Sequence, residues 1–446
     1  MARKVKESGI DWIKTIPVEW EVNRLKNIFT FGKGLPITKE NLTETGIDVI
    51  SYGQIHSKNN NGLEINNALI RFVSQSYLES HKGSLVDRED FIFADTSEDL
   101  QGCGNCVYVD TDKQLFAGYH TIILRSNSGC NNKYFAYLFK SDIWRSQIRS
   151  RVSGIKLFSI TQKILRETTI IIPPIEEQKR IVKFLDEKVS EIDNIILKTK
   201  ESIEHYKKYK QAIITEVALG GLDKAVATKN SGIDWIGNIP EHWKIKPFKF
   251  VMTERNEKNI PVKTDERLAL SIDKGITTYA EKTTNLDRFK DDVTQYKLAY
   301  EGDLVFNSMN MIVGAIGYSN YFGCVSPAYY TYYDNVEGHY TSKYYEYIFR
   351  SKTMRKVLFS LGKGIMAIDR GDDKINTCRL KVSRDDLRCL KVPVPTEQEQ
   401  QEIVKYLDAK CTEIDALIAK KEAFAEEMEA YKKSLIYECV TGKKEV

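Results

Sequence analysis

Two stretches of the chain place apolar residues at alternating spacings of three and four, which is the pattern of a helix that packs along one side. The first runs from Val182 to Val217 and the second from Val404 to Cys439, 222 positions later. Of the 44 positions from Glu177 to Gly220, 19 are identical in the second stretch, so the two are copies. The pattern predicts two long helices that pack on each other as an antiparallel coiled coil. We predict that its seam contains Val182, Leu185, Val189, Ile192, Ile196, Ile203, Val404, Leu407, Ile414, Ile418, Met428 and Leu435.

The residues around these stretches carry the signals that start and stop helices. Pro173-Pro174 precedes the first helix, and Thr396 with Glu399 forms a capping box at the start of the second. Glycines at 220–221 and 442 follow the last apolar positions, as expected for helix ends.

The repeat extends over the whole chain. Ser8–Ile13 recurs as Ser231–Ile236, and Trp20 recurs as Trp243. Between these leaders and the helices the copies match only in short islands, so we expect two diverged globular domains of the α/β (α+β) class within one pseudo-twofold frame. The predicted segments are a leader at 1–23, a domain at 24–172, a helix at 173–222, a second leader at 223–246, a second domain at 247–393 and a second helix at 394–446.

Composition narrows the class of protein. The chain has 446 residues, 42% of them apolar, and a net charge of +4. It contains no apolar run long enough to span a membrane, no apolar leader, and eight cysteines, which together predict a reduced, cytoplasmic protein. The small net charge means that any argument for a nucleic-acid partner must be local.

The positive charge is concentrated at matching places in the two domains. Residues 125–166 contain nine Lys or Arg and one acid, and residues 343–384 contain eleven and four. Each stretch includes one expected helix, at 134–149 and at 344–358, followed by a glycine-containing loop. A solvated charged face is the ordinary interpretation, but recurrence favours contacts to DNA phosphates. The candidate DNA-binding residues are Lys140, Arg145, Arg149, Arg151, Ser153, Lys156, Arg350, Arg355, Lys356, Lys363, Arg370 and Lys374.

The polar loops near these stretches are candidates for reading bases. They are residues 54–61, Thr96-Ser97 and residues 307–310, which supply the Asn, Gln, Ser and Thr side chains that contact base edges.

Signals for catalysis or metal binding are weak. Cys103 and Cys106 form a lone Cys-x-x-Cys, which Cys130 and His120 could complete as a zinc site, but the second copy has no counterpart. The acids at 369–373 suit a polar loop better than a nuclease site. The chain lacks the glycine-rich nucleotide motifs and the nucleophile elbow. We therefore predict no catalytic residue, no metal site and no cofactor bound by this chain.

The arrangement resembles the specificity subunits of type I restriction–modification systems. The resemblance is carried by residues 172–182, Ile-Pro-Pro-Ile-Glu-Glu-Gln-Lys-Arg-Ile-Val, by their copy at 394–404, by the island at 302–306, and by the two leaders. Thr396 stands where that family usually has its second proline. The resemblance implies two target-recognition domains that each read one half of a split, asymmetric DNA site, and two helices that set the spacer.

The same resemblance implies partners that carry the chemistry. Two methyltransferase subunits would dock on the helices and bind S-adenosylmethionine, and restriction motor–nuclease subunits would use ATP and Mg. This chain would be non-catalytic. Two other functions stay open at this point: a self-sufficient nuclease or methyltransferase, and a coiled-coil scaffold that does not bind DNA. DNA affinity that falls steeply with salt would separate the specificity subunit from the scaffold.

Overall fold

A computed structural model describes residues 3–10, 12–126, 129–272, 274–282, 292–335, 338–365 and 379–446. The chain divides into two compact units. Unit 1 contains residues 1–199 and 423–446, and unit 2 contains residues 200–422. Each unit therefore combines one globular part with a portion of both long helices.

Unit 1 begins with a hairpin, continues through two sheets, and enters the first long helix. Its strands are β1 Val5–Ile10, β2 Ile13–Pro17, β3 Glu21–Arg24, β4 Phe29–Lys33, β5 Leu42–Thr43, β6 Ile47–Ile50, β7 Arg71–Val73, β8 Leu85–Val86, β9 Phe91–Ala94, β10 Thr96–Ser97, β11 Cys106–Tyr108, β12 Leu115–Ala117, β13 Thr121–Ser126, β14 Phe158–Ser159 and β15 Thr169–Ile172. Its helices are α1 Leu25–Ile28, α2 Tyr52–Ile55, α3 Tyr77–Ser80, α4 Asn132–Lys140, α5 Asp142–Arg149, α6 Gln162–Arg166 and the start of α7 Ile175–Gly220.

Unit 2 follows the same order with a smaller sheet content. Its strands are β16 Thr228–Asn230, β17 Asn238–Pro240, β18 Lys244–Pro247, β19 Thr253–Arg255, β20 Leu268–Ser271, β21 Gly275–Thr278, β22 Lys297–Ala299, β23 Leu304–Asn307, β24 Ile316–Tyr318, β25 Gly323–Val325, β26 Tyr329–Tyr333, β27 Lys363–Ile365, β28 Arg379–Lys381 and β29 Lys391–Val394. Its helices are α8 Tyr279–Lys282, α9 Tyr340–Arg350, α10 Lys352–Leu361, α11 Arg384–Cys389 and most of α12 Glu397–Val440.

The two long helices form as the seam pattern predicts. Every predicted seam residue is buried except Met428, which is partly buried. The capping box at the start of α12 is present: the Glu399 amide donates to Thr396 Oγ1 at 3.3 Å, and the Thr396 amide donates to a Glu399 carboxylate oxygen at 3.0 Å.

Within each unit the two helices run antiparallel. In unit 1, Lys432 of α12 lies 2.6 Å from Asp193 of α7, and Lys444, further along the chain, stacks on Phe184, nearer the start of α7. In unit 2, Lys210 of α7 lies 2.6 Å from Asp415 of α12. The lysine–aspartate pairs of the two units occupy equivalent repeat positions, so they are two copies of one contact.

Each globular part is built on a four-stranded antiparallel sheet. Its order is β11-β9-β13-β4 in unit 1 and β19-β26-β23-β24 in unit 2. Phe93 pairs with Ile122 in the first sheet, and Phe306 pairs with Tyr330 in the second. Unit 1 adds a five-stranded sheet, β5-β7-β6-β12-β8, in which β6 and β12 are parallel. The predicted α/β (α+β) class with an internal repeat is confirmed.

The single helices expected at 134–149 and 344–358 are wrong, because a serine divides each of them. Ser141 has an extended backbone between α4 and α5, and its hydroxyl accepts a hydrogen bond from the amide of Trp144. Ser351 caps α10 in the same way through Met354. A serine that satisfies a free amide at a helix start competes with helix continuation, which is the reason for the break.

The leader and the sheet domain are joined to the long helices by polar contacts that recur in unit 2. Trp20 Nε1 donates to Glu177 of α7 at 2.9 Å, and Tyr137 OH donates to Asp186 at 2.7 Å. The hydroxyl of Tyr134 donates to the carbonyl of Val440 at the end of α12.

The copies in unit 2 join the same positions. Trp243 donates to Glu399 at 2.9 Å, and Tyr347 donates to Asp408 at 2.5 Å. Tyr344 OH donates to the carbonyl of Ala218 near the end of α7. The repeated motifs of the sequence are therefore the residues that fix a globular part to its helices.

Candidate nucleic-acid interface

Three of the predicted DNA-binding residues of unit 1 lie in one cleft and are held by neighbours. Lys140 Nζ donates to the carbonyl of Asn61 at 2.8 Å. Arg145 donates to Phe139 O at 2.8 Å and to Asn105 Oδ1 at 2.6 Å. Arg149 donates to the carbonyl of Gln101, and pairs with an acid on its own helix.

Burial also changes the ionisation of two of these groups. Removal from water, with a smaller effect of the nearby Lys432 ammonium, lowers the pKa of Lys140 to about 8. Burial likewise lowers the pKa of Arg145. Both groups are partly buried and hydrogen-bonded to neighbours, so they line the cleft and do not project from the exposed surface of the unit.

The remaining candidates of unit 1 lie on an exposed loop between α5 and β14. Arg151, Ser153 and Lys156 are all exposed, and Gly154 has a φ of +154°. Ile155 and Leu157 of the same loop also face solvent. An exposed loop that carries two cations and apolar side chains has the composition of a DNA-contacting segment.

This loop leads into the strand pair that presents Thr96 and Ser97. Thr96 pairs with Ser159, and the amide of Ile160 donates to the carbonyl of Asp95 at 2.7 Å. Asp95 in turn accepts from Thr96 Oγ1 at 2.7 Å and contacts the ring of His120 at 3.2 Å.

A cavity of about 500 Å³ opens beside this group. It is lined by Lys33, Gly34, Pro36, Asp95, Thr96, His120, Thr121, Ile122, Ser159, Ile160, Thr161 and Gln162. We call Asp95, Thr96 and His120 the Asp95 cluster. It offers donors and acceptors at a surface, which is what reading a base edge requires.

Sequence reasoning identified Thr96 but missed Asp95 and His120 as part of the same surface. His120 has a φ of +56°, a conformation that is uncommon for residues other than glycine and worth attention when it lies at a site. Its side chain is 58% exposed and meets the rings of Tyr52 and Tyr119 edge-on. Only the run Gly118-Tyr119-His120-Thr121 before a strand could have indicated this in the sequence.

In unit 2 the predicted residues also separate into two groups. Arg350 pairs with Glu346 at 3.1 Å and donates to the carbonyl of Ile272. Arg355 is partly buried and lies beside Gly314. Lys356 is exposed, and Lys363 is exposed and lies 3.3 Å from Asp386. Arg370 and Lys374, together with the acids at 369–373, lie outside the described residues.

Three asparagines of the candidate loops serve the fold. Asn60 donates to the carbonyls of Ile55 and Cys106, and Asn61 Oδ1 accepts from two amides of its own turn. Asn307 is buried and donates to the hydroxyl of Tyr329. These amides are therefore used within the protein, which leaves fewer side chains for base reading than the loop sequences indicate.

The cysteine pair lies in the interior of unit 1. Cys103 and Cys106 are both buried, and burial raises the pKa of the Cys106 thiol to about 12. A thiol with a raised pKa is a poor metal ligand at neutral pH, because the thiolate is the form that binds. Within the part of the chain that the structure describes, no three His, Cys, Asp or Glu side chains are grouped as a metal site.

Comparison with known proteins finds similarity to one family. Residues 17–205 match the family described as the type I restriction modification DNA specificity domain. A putative type I restriction enzyme MjaX specificity subunit from Methanocaldococcus jannaschii is 23% identical over 97% of this chain and 95% of its own length. Over nearly its whole length the chain is therefore similar to a type I specificity subunit.

Other specificity subunits match over part of the length. The EcoKI specificity subunit of Escherichia coli is 23% identical over 54% of this chain and 49% of its own. The StySPI specificity subunit of Salmonella potsdam is 24% identical over 49% of this chain and 47% of its own.

Solved structures agree on the fold. A chain from a structure describing complex assembly and conformational transition of the type I R-M system has a TM-score of 0.68 at 18% identity, covering 96% of this chain and 99% of that chain. The HsdS subunit from Thermoanaerobacter tengcongensis has a TM-score of 0.52 at 17% identity, covering 96% and 98%. In the described ranges, none of the helices combines the length and apolar character needed to cross a membrane.

Proposed function

We propose that this specificity subunit directs a type I restriction–modification complex to a split, asymmetric DNA site. Each unit reads one half-site through its globular part. The two long helices set the length of the unread spacer and dock two methyltransferase subunits. Restriction motor–nuclease subunits join through the complex, which acts on chromosomal DNA in the cytoplasm.

The observation that best supports this proposal is that the same contacts attach both globular parts to the long helices, whereas the exposed surfaces of the two parts differ. The contacts from Trp20, Tyr134 and Tyr137 to the helices recur in unit 2 at equivalent positions. The two units therefore share the contacts that attach a globular part to the helices, and they differ in their exposed loops. This organisation suits a protein that reads two different DNA sequences.

The sheet register shows where the surfaces differ. Phe93 and Phe306 occupy equivalent positions, so Thr96 of the Asp95 cluster corresponds to Met309. Thr96 bears a hydroxyl that donates and accepts hydrogen bonds, whereas Met309 is a thioether that is 46% exposed. Two surfaces of such different chemistry favour two different half-sites, and hence an asymmetric target.

Catalysis belongs to the partners in this proposal. S-adenosylmethionine would be held by the methyltransferase subunits, and ATP and Mg by the motor–nuclease subunits. The unit 1 groups best suited to chemistry, the Cys106 thiol and the Asp95–His120 pair, are respectively buried with a raised pKa and engaged in an internal contact. A scaffold without DNA affinity is the alternative, and the salt dependence of binding separates the two.

The experiment is a selection of bound duplexes from a randomised pool, using the full chain assembled with the methyltransferase subunit of its host. Thr96→Ala is expected to relax the preference at one or two positions of one half-site, with a loss of about 1–3 kcal/mol of discrimination at each. Met309→Ala is the matched control and should affect only the other half. The division of reading between the units would be contradicted if either variant relaxed the preference at both half-sites. It would also be contradicted if neither variant relaxed the preference at any position.

A further inference from the structure

The cleft of unit 1 that contains Lys140 carries an excess of positive charge. It has a volume of about 850 Å³ and lies where α4 and α5 face α7 and α12. Six basic side chains and three acidic ones line it. They are Lys58, Lys140, Arg145, Arg149, Lys432 and Lys433, with Asp142, Asp193 and Glu429.

All three acids of the cleft already have basic partners. Lys432 lies 2.6 Å from Asp193 and 2.8 Å from Glu429. Arg149 lies 3.0 Å from Asp142. Among the described residues no carboxylate lies within 4.0 Å of Lys140 or of Arg145, whose hydrogen bonds go to uncharged oxygens. The buried Nε of Arg149 has no hydrogen-bond partner in the same part of the chain.

Unit 2 contains the equivalent cleft, of about 510 Å³, and there the cation equivalent to Lys140 is paired with an acid. Arg350 stands at the position of Lys140, and Lys210 with Asp415 stands at the position of Lys432 with Asp193. The difference is Glu346, which lines this cleft and pairs with Arg350 at 3.1 Å. The residue equivalent to Glu346 in unit 1 is Ala136.

The two units can therefore be compared directly at this cleft. Both clefts have a cation at the end of the equivalent helix, Lys140 in α4 and Arg350 in α9. Only unit 2 has a carboxylate, Glu346, one turn before that cation. A partly buried cation without a counter-charge is unfavourable, because desolvation is not repaid by pairing. The lowered pKa of Lys140 is consistent with that cost. An external anion would supply what Ala136 lacks.

We propose that the cleft of unit 1 binds a phosphate group, with Lys140, Arg145 and Arg149 as its basic ligands. Ammonium and guanidinium groups are the side chains that bind phosphate oxygens most strongly, through charge-assisted hydrogen bonds. The cleft is much larger than one phosphate and is also lined by the polar side chains of Asn60, Asn61 and Asn105, so it accommodates a ligand of nucleotide size. The phosphate comes either from a free nucleotide or from a DNA backbone.

The test is calorimetric titration of the full chain with inorganic phosphate and with AMP, against chloride at equal ionic strength. The wild type is expected to bind one equivalent. Lys140→Gln should raise the dissociation constant about tenfold or more, because one charge-assisted contact is lost. Lys39→Gln removes the same charge from an exposed position and should leave the constant unchanged.

Two further variants use the repeat and remain informative if Lys140→Gln folds poorly. Ala136→Glu installs the carboxylate of unit 2 and should abolish binding. Glu346→Ala removes it from unit 2 and should raise the stoichiometry from one phosphate to two. Unchanged stoichiometry in Glu346→Ala together with unchanged affinity in Ala136→Glu would overturn the proposal, as would wild-type heats equal to those for chloride.

A competition experiment identifies the source of the phosphate. If a saturating short duplex displaces bound phosphate, the ligand is a DNA backbone phosphate; if phosphate binds beside the duplex, it is a free nucleotide. The titrations themselves contain no DNA, so loss of sequence-specific DNA binding and loss of the phosphate site are measured separately.

Discussion

Leu185→Ala tests how the long helices are divided between the two units. Leu185 lies on α7, is 0% exposed, and belongs to a buried cluster that also contains Leu435 and Ile436 from the last part of α12. Its repeat equivalent, Leu407 of α12, is also fully buried, in the cluster of unit 2. Each substitution removes the same side chain from the same position of a different unit.

The magnitude follows from the cavity that alanine leaves. A fully buried leucine replaced by alanine costs about 2–5 kcal/mol. Taking about 3 kcal/mol, amides that exchange through opening of the affected unit should exchange about a hundredfold faster. Leu197→Ala removes the same atoms from a position of α7 that is 55% exposed, and should cost less than about 0.5 kcal/mol.

Hydrogen exchange followed by mass spectrometry locates the response along the chain. Leu185→Ala should accelerate exchange in residues 3–199 and also in residues 423–446, which are far away in sequence but belong to unit 1. Exchange in residues 200–422 should stay within a few-fold of the wild type. Leu407→Ala should give the complementary result. If Leu185→Ala instead accelerated amide exchange along all of α7 and nowhere in α12, the division of the two helices between the units would be wrong.

Three further outcomes are expected. Lys432→Met should lower the free energy of unfolding by about 1–3 kcal/mol, because loss of this mostly buried lysine leaves its carboxylate partner on α7 unpaired. A thermal melt identical to that of the wild type would exclude this effect. Burial opposes ionisation of Glu399, but hydrogen bonds from Trp243 and from the start of α12 outweigh it and lower the pKa of that carboxyl. Glu399→Gln should therefore destabilise most above pH 4.5 and progressively less as the pH falls through the folded-state pKa, whereas a pH-independent loss in urea titrations would contradict an ionic role. Arg151→Ala and Lys156→Ala should each reduce the salt slope of DNA binding by about 1, and an unchanged slope in both would remove the exposed loop from the interface.

The helices and their seam were predictable because the signal is local and periodic. Burial of Leu185 and Leu407 follows from spacing alone, and the capping box at Thr396 follows from side chains three residues apart. Because the chain is a repeat, each of these patterns occurs twice in the sequence. Where the copies agree, as at Trp20 and Trp243, the residues proved to be joints between a globular part and its helices.

The candidate DNA-binding residues could be predicted only as stretches of sequence. Counting charges located two basic stretches, but it could not tell which side of a helix faces a cleft and which faces solvent. Arg145 and Arg151 are six residues apart in sequence, yet the first is held by Asn105 and the second is exposed. The break at Ser141 turns the chain between α4 and α5, and its signal, a serine before three residues of ordinary helix propensity, is too common to identify a helix start.

If this chain supplies the sequence specificity of a type I complex, its loss must change where the host DNA is methylated. The adenine methylome of the host should therefore be compared with and without this gene, and with the gene restored as Thr96→Ala. We expect deletion to abolish methylation at one split motif, and the variant to relax one half of that motif alone. An unchanged methylome after deletion would contradict this expectation.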